Sequence, residues 1–161
     1  ILDEVTKEIR RIINALRPSM LDNALGLIPA IENLLDSLVK RSNHKISTKL
    51  ITSISKLKMD ESKDIHIYRI IQEGLNNIYK HSGADKVEVT IEEQMGQLLF
   101  LVSDNGAGIK NGKSKGFGLI DIRERAELIG ATIQFINKPS NQGTTLELTI
   151  PIDKNILIEK K

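Results

Sequence analysis

Between residues 64 and 102 the apolar side chains change period, and this constrains the fold more than any other feature of the chain. From 64 to 81, Ile67, Ile71, Leu75 and Ile78 recur every three or four residues, which predicts a helix with one buried face. From Lys86 to Glu92, Val87, Val89 and Ile91 alternate with polar neighbours. After the turn Met95-Gly96-Gln97, the run Leu98 to Val102 predicts a second, more buried strand ending at Ser103-Asp104. A helix and a hairpin that each carry one apolar face must bury those faces against each other. Aromatic residues make up only 3% of the chain, so the core between them is built mostly from Ile and Leu.

The flanking segments fit the same plan. Leu2, Val5, Ile9, Ile12 and Leu16 form a two-heptad seam that ends at Arg17-Pro18-Ser19, because a residue before proline is pushed out of helical geometry. Such a seam belongs either to the end of a longer helix or to an amphipathic helix packed on its own domain. Pro29 stands near the start of a helix that buries Ile28, Ile31, Leu34, Leu35 and Leu38 and fades at Lys40 to Asn43. Residues 46 to 58 partly alternate and are rich in β-branched side chains, which predicts an edge strand. A glycine-rich stretch covers 105 to 118. A helix follows from about Leu119 to Ile129, closed by Gly130, and then strands near 131 to 137 and 144 to 150. The expected fold is α+β, a two-layer sandwich with a mixed, largely antiparallel sheet and helices on one face, preceded by an N-terminal helix. The expected boundaries are 1–18, 19–152 and a frayed tail at 153–161.

Composition removes several classes of function. Zero cysteines exclude disulfides, thiolate metal sites and thiol nucleophiles, and fit a reducing, cytoplasmic setting. With 23 basic against 21 acidic residues and a net charge of +2, the chain lacks the basic excess of a dedicated nucleic-acid binder. The longest uninterrupted apolar run, Leu98 to Val102, is far short of the roughly twenty residues of a membrane span. No nucleic-acid partner and no membrane contact are expected. Without an initiator Met or a signal segment, the sequence reads as part of a longer chain.

Three separated segments carry one chemical theme. Glu73, Asn77, Lys80 and His81 lie at i, i+4, i+7 and i+8 of the central helix, so they share a face or its border. A carboxylate, an amide oxygen and an ammonium in one row suit a hydrated divalent cation with phosphates, and the same spacing also describes a solvated helix face. Asp104-Asn105-Gly106-Ala107-Gly108-Ile109 follows a buried strand. Its aspartate can accept a hydrogen bond from an exocyclic amine and its glycines allow close backbone approach, while Asp-Asn-Gly is equally common turn chemistry. Gly116-Phe117-Gly118-Leu119 opens the next helix, where backbone N–H groups favour anions. Between the glycine motifs, Lys110, Lys113 and Lys115 suit either a lid over polyphosphate or a solvated loop.

In this order the motifs resemble the ATP-binding catalytic domain of sensor histidine kinases, in the superfamily that includes gyrase, heat-shock chaperone and mismatch-repair ATPases. Glu73-Gly-Leu-Asn-Asn77-Ile-Tyr-Lys80-His81 resembles the asparagine box. Asp104 to Gly108 resembles the first glycine box, Gly116 to Leu119 the second, and Gly143-Thr144-Thr145 through Pro151 the closing strand motif. Leu16-Arg17-Pro18 through Leu27, and Ile122-Arg-Glu-Arg-Ala-Glu-Leu-Ile-Gly130, are similar to the nitrate-sensor and membrane-fluidity-sensor type.

The resemblance implies the Bergerat ATP-binding fold, with residues 1 to 16 ending a dimerisation and phosphoacceptor hairpin. It implies ATP and Mg2+ as cofactors, with Asn77 the metal ligand and Glu73 the catalytic carboxylate that orients a metal-bound water or polarises the acceptor histidine. Lys80 and His81 would lie by the phosphates and Asp104 on the adenine amino group. Gly106, Gly108, Ile109, Gly116, Phe117, Gly118, Leu119 and Thr144 would complete the nucleotide contacts. The implied partners are a response regulator receiver domain and, through the hairpin, a second copy of the chain. None of His44, His66 or His81 has the acidic flank of the family's phosphoacceptor, which is therefore expected upstream. An anti-sigma-factor-type serine kinase and a non-catalytic nucleotide-sensing module are the competing readings.

Overall fold

The computed structural model describes residues 1–15, 26–108, 117–139 and 142–161. Helix α1, Leu2–Ala15, leaves its seam in solvent, with Leu2 83% and Val5, Ile9 and Ile12 about half exposed. The domain does not bury this stripe; Leu16 and the Arg17-Pro18 break lie outside the described residues. Helix α2, Leu27–Arg41, buries Ile28, Ile31, Leu35 and Leu38, with Leu34 packed at the margin of the core. Lys40 and Arg41 occupy its last turn, where cations complement the helix dipole. Helix α3, Glu61–Asn77, buries Ile67, Ile70, Ile71 and Leu75 and runs on as a π-turn, Ile78–Ser82. The end of α2 is tied to this turn by Arg41, which bonds Asn76 at 3.0 Å and lies 5.0 Å from the Tyr79 ring centre. Helix α4, Phe117–Leu128, is followed by Gly130 in the left-handed region at φ 68, as expected of a closing glycine.

Seven strands form two sheets among the described residues. The larger contains β1 (Ser47–Thr52), β3 (Lys86–Gln94), β4 (Gln97–Asp104), β5 (Thr132–Asn137) and β6 (Thr144–Pro151), in the order β1-β3-β4-β6-β5. Only the β1–β3 pair is parallel; the others are antiparallel. Period-two alternation sorts the side chains. Val87, Val89 and Ile91 on β3, Leu98, Phe100 and Val102 on β4, and Leu146, Leu148 and Ile150 on β6 are buried and pair in register on one face. The helices cover that face, and the resulting core is aliphatic apart from Phe100 and Tyr68. This is the α+β sandwich expected, with a mixed sheet.

Two features differ from the sequence reading. Residues 46–58 make two strands in two sheets, β1 and β2 (Ile54–Lys58), rather than one. The Thr52 hydroxyl causes the break: it donates to the Ile91 carbonyl at 2.7 Å and accepts from the Ile54 N–H at 3.0 Å, turning the chain out of the large sheet. The tail is not frayed. Leu157–Lys160 forms β7, antiparallel to β2, with Ile156 buried beneath it and Lys161 N–H donating to the Ser53 carbonyl at 2.8 Å. The segment carries too little apolar alternation to reveal this, because its partner strand lies a hundred residues upstream. Ending the chain after Asn155 should lower unfolding stability by about 2–3 kcal/mol, the scale of one buried Ile plus lost pairing. Urea denaturation measures this, and unchanged stability would show the tail to be ornamental.

Candidate functional site

Strand parity places the central residue. Val102, Phe100 and Leu98 face the core, so Asp104, the next residue in that row, faces inward at the strand end and is only 5% exposed. Thr144, two residues before Leu146 on the neighbouring strand, belongs to the same inner face and is also buried. The Asp104 carboxylate accepts the Gly106 N–H at 2.7 Å, and its main-chain carbonyl accepts Lys138 Nζ at 2.9 Å. Burial pushes the Asp104 carboxyl above its ordinary range, opposed by the Gly106 N–H, the Lys138 ammonium and the Thr144 N–H. A carboxylate has about four lone-pair positions, so one held this way retains capacity for a ligand donor.

The glycine turn after Asp104 is docked onto the end of α3. Ala107 N–H donates to the Ser82 carbonyl at 2.9 Å, and a side chain at Gly106 would collide with that same carbonyl. Asn105 fixes the other flank: its Oδ1 accepts the N–H groups of Asp85 and Lys86 at 3.1 and 3.0 Å. The second glycine motif closes on the same helix, since a Cβ at Gly118 would strike the Glu73 carboxylate. Glu73 and Asn77, one turn apart and half-buried, thus lie between the two motifs.

The remaining sequence candidates fall less neatly. Lys80 and His81 are exposed and sit in the π-turn, whose wider winding changes the α-helical spacing from which the sequence reading placed them on a face with Glu73. Gly108 has φ 77, and Leu119 is half-buried against the core. Ile109, Gly116 and the Lys110-to-Lys115 segment lie outside the described residues, as does the Phe117 side chain. The sequence reading missed Ser82, Asn137 and Lys138, and it gave Asn105 and Gly143, which stand inside its motifs, no role of their own. Asn137 accepts the Thr144 hydroxyl at 3.2 Å, and Gly143, at φ 123, brings its backbone against the Asp104 carbonyl. Asn105, in the Asp-Asn-Gly motif, and Gly143, the glycine of the Gly-Thr pair, carried a signal in the sequence; Ser82, Asn137 and Lys138 act through contacts that no motif announced.

In this α+β sandwich the glycine turn beside the buried Asp104 seats on Ser82, and Gly118 abuts the Glu73 carboxylate upstream in the same helical stretch. Residues 62–154 match the histidine kinase-, DNA gyrase B- and HSP90-like ATPase family, and the chain belongs to that family. It is 34% identical over 94% of its length to the oxygen sensor histidine kinase NreB of Staphylococcus carnosus, 44% of which it spans. It is 35% identical over 90% of its length to the histidine-protein kinase/phosphatase DegS of Brevibacillus brevis, spanning 37% of that protein, and 36% identical over 92% to the sensor histidine kinase LiaS of Bacillus subtilis, spanning 40%. The chain therefore covers less than half the length of each of these relatives. Its fold is that of the Acinetobacter baumannii histidine kinase AdeS (TM-score 0.67, 19% identity, 94% of this chain and 80% of that one). The histidine kinase domain of an Erythrobacter litoralis blue-light activated kinase is similar too (TM-score 0.66, 18% identity, 83% and 68%). The chain is an ATP-binding catalytic domain of the sensor histidine kinase type. No described helix is long and apolar enough to cross a membrane.

The buried aspartate has a measurable consequence. With its folded pKa raised above the ordinary 3.8, Asp104 favours the folded state most below that value and opposes it as pH rises through the folded pKa. Asp104→Asn should therefore be at least as stable as the parent at neutral pH, with the difference shrinking toward pH 4, in paired thermal melts; a variant less stable at neutral pH would show that the charge stabilises the fold. Gly106→Ala should lose about 1–3 kcal/mol in urea melts from the collision with the Ser82 backbone.

Proposed function

We propose that this domain positions Mg2+-ATP for transfer of the γ-phosphoryl group to a histidine, and onward to an aspartate of a response regulator receiver domain. The observation that carries the reading is that the glycine turn beside Asp104 seats on Ser82 while Gly118 abuts Glu73, so that both motifs meet one continuous helical stretch. An inward carboxylate whose ionised form is costly to bury suits the exocyclic amine of adenine, which returns a hydrogen bond to it. Thr144, its hydroxyl already turned toward Asn137, would support the base from the adjacent strand. Gly118, at the start of α4, would leave N–H groups facing the phosphates. The donor set also fits Mg2+, which keeps several waters and needs few protein ligands: Asn77 would hold it through its amide oxygen, and when bound the ion neutralises phosphate charge.

In the transfer, an imidazole nitrogen of the acceptor attacks the γ-phosphorus, the bond to the β–γ bridging oxygen breaks, and ADP leaves with that electron pair. Glu73 would polarise the acceptor through its other ring N–H, or orient a water for the same purpose. The protein's contribution is positioning and charge stabilisation, with no covalent intermediate of its own. Dimerisation would run through a helical hairpin to which α1 contributes, consistent with its exposed Leu2, Val5, Ile9 and Ile12. The same α1 stripe speaks against the single-domain serine kinase reading.

Calorimetric titration with ATP tests the reading. Binding should be saturable, weaker without Mg2+, and at least about tenfold weaker in Asp104→Asn, the scale of one hydrogen bond to a charged group. A folded domain that ignores ATP, or that binds it equally well as Asp104→Asn, would refute the assignment.

A further inference from the structure

Strand β4 runs one residue past its last pairing with β6. The ladder ends at Ser103 and Thr145, and the next carbonyl, that of Asp104, takes its donor from the Lys138 ammonium at 2.9 Å. Lys138 stands just beyond the end of β5, half-buried, with its own N–H donating to the Gly143 carbonyl at 3.0 Å. Its backbone is thereby pinned across the β5–β6 connection, and its charged head is tethered to the residue whose carboxyl faces inward.

That carboxyl has two forms with opposite recognition. Ionised, it only accepts hydrogen bonds; protonated, it also carries an O–H that donates. A 6-aminopurine offers a donor at the position where a 6-oxopurine offers an acceptor, so the form of Asp104 decides between them. Burial favours the neutral form, and the Gly106 N–H, the Lys138 ammonium and the Thr144 N–H oppose it. Two of these three are main-chain groups, present whatever the side chain; the charge of Lys138 is the contribution that the sequence chooses. The other groups around Asp104 are neutral or engaged elsewhere. The π-turn presents Ser82, with Lys80 and His81 exposed; β6 presents the Thr144 hydroxyl, bonded to Asn137; and Asp85, before β3, accepts the Asn105 amide at 2.6 Å.

We infer that Lys138 sets the purine specificity of this site: tethered to the Asp104 carbonyl, its ammonium keeps the adjoining carboxylate an acceptor, so that a 6-aminopurine is taken and a 6-oxopurine refused. The inference rests on the adenine reading of Asp104 given above and adds the residue that enforces the choice. Lys138 works through Asp104, as a positioning residue, and takes no part in the phosphoryl transfer.

The test compares ATP with inosine triphosphate, its 6-oxo counterpart, by calorimetric titration with Mg2+ at neutral and at mildly acidic pH. Both nucleotides carry the same triphosphate, so its own titration cancels in the ratio of affinities. The parent domain should prefer ATP about tenfold or more at neutral pH, and the preference should shrink as acid protonates Asp104. In Lys138→Met the shrinkage should begin at higher pH, leaving the preference about threefold smaller than the parent's in mild acid, the scale of one partly solvated charge interaction. Lys138→Arg should keep the parent profile. Lys138→Gln, which can still donate to the Asp104 carbonyl but has no charge, should follow Lys138→Met. A carbon-13 resonance titration of the Asp104 carboxyl in the nucleotide-free domain reads the same effect directly: its midpoint should rise in the Met and Gln variants and stay in place in the Arg variant.

A Lys138 that merely ties the strand ends would weaken both nucleotides equally and leave their ratio and the Asp104 midpoint unchanged, and either unchanged result overturns the inference. So does a Lys138→Gln variant that behaves as the parent. An ATP preference with the same pH profile in every variant defeats the role of Lys138 alone. A parent domain that binds neither nucleotide, or both equally, defeats the adenine reading itself, even where the Asp104 midpoint moves as expected.

Discussion

Taking a carboxylate out of water costs several kcal/mol unless hydrogen bonds and opposite charge replace the lost hydration, and Asp104 is held at 5% exposure at the end of a core-facing row. Much of the local architecture answers that demand. The chain turns immediately so that the Gly106 N–H reaches back to the carboxylate, and the β5–β6 connection brings Lys138 and the Thr144 N–H to the same spot. The turn that satisfies Asp104 is also the turn that docks on Ser82. One electrostatic requirement therefore fixes the distance between the sheet and the end of α3. Compensation is incomplete, because burial still outweighs the three stabilising contacts. That residual cost is one that a hydrogen-bond donor reaching the carboxylate can relieve.

The aliphatic core performs a complementary task. Ile67, Ile71 and Leu75 on α3 and Phe100, Leu98 and Leu148 on the sheet are almost completely buried, so the helix has little freedom to slide or rotate. The polar border of α3 is thereby aimed with the precision of close packing. Glu73 meets Gly118 on one side and lines the Arg69–Arg125 cleft on the other. A single carboxylate thus borders both the second glycine motif and the cleft between α3 and α4.

Local patterns made much of this legible beforehand. The inward direction of Asp104 follows from strand parity, the helix end at Gly130 from backbone sterics, and the exposed α1 seam from its heptad spacing. The failures share a different cause. The split at Ser53 depends on a Thr52 hydroxyl finding the Ile91 carbonyl, and the ordered tail depends on β2, distant in sequence. The π-turn that carries Lys80 and His81 is likewise announced by no apolar periodicity. Lys138 and Ser82 look like ordinary surface residues until the fold places them against Asp104 and Ala107.

The sequence by itself determined the element types, the inner face of each strand, the aliphatic character of the core and the family of the domain, because each is set by spacing or by short motifs along the chain. Tertiary structure alone decided which backbone groups satisfy Asp104, how the glycine turn seats on Ser82, where the tail pairs, and that two arginines from separate helices share a cleft. Those outcomes depend on distances between segments tens of residues apart. Such distances follow from how the buried faces pack against one another, a property of the assembled core that no local window of sequence contains.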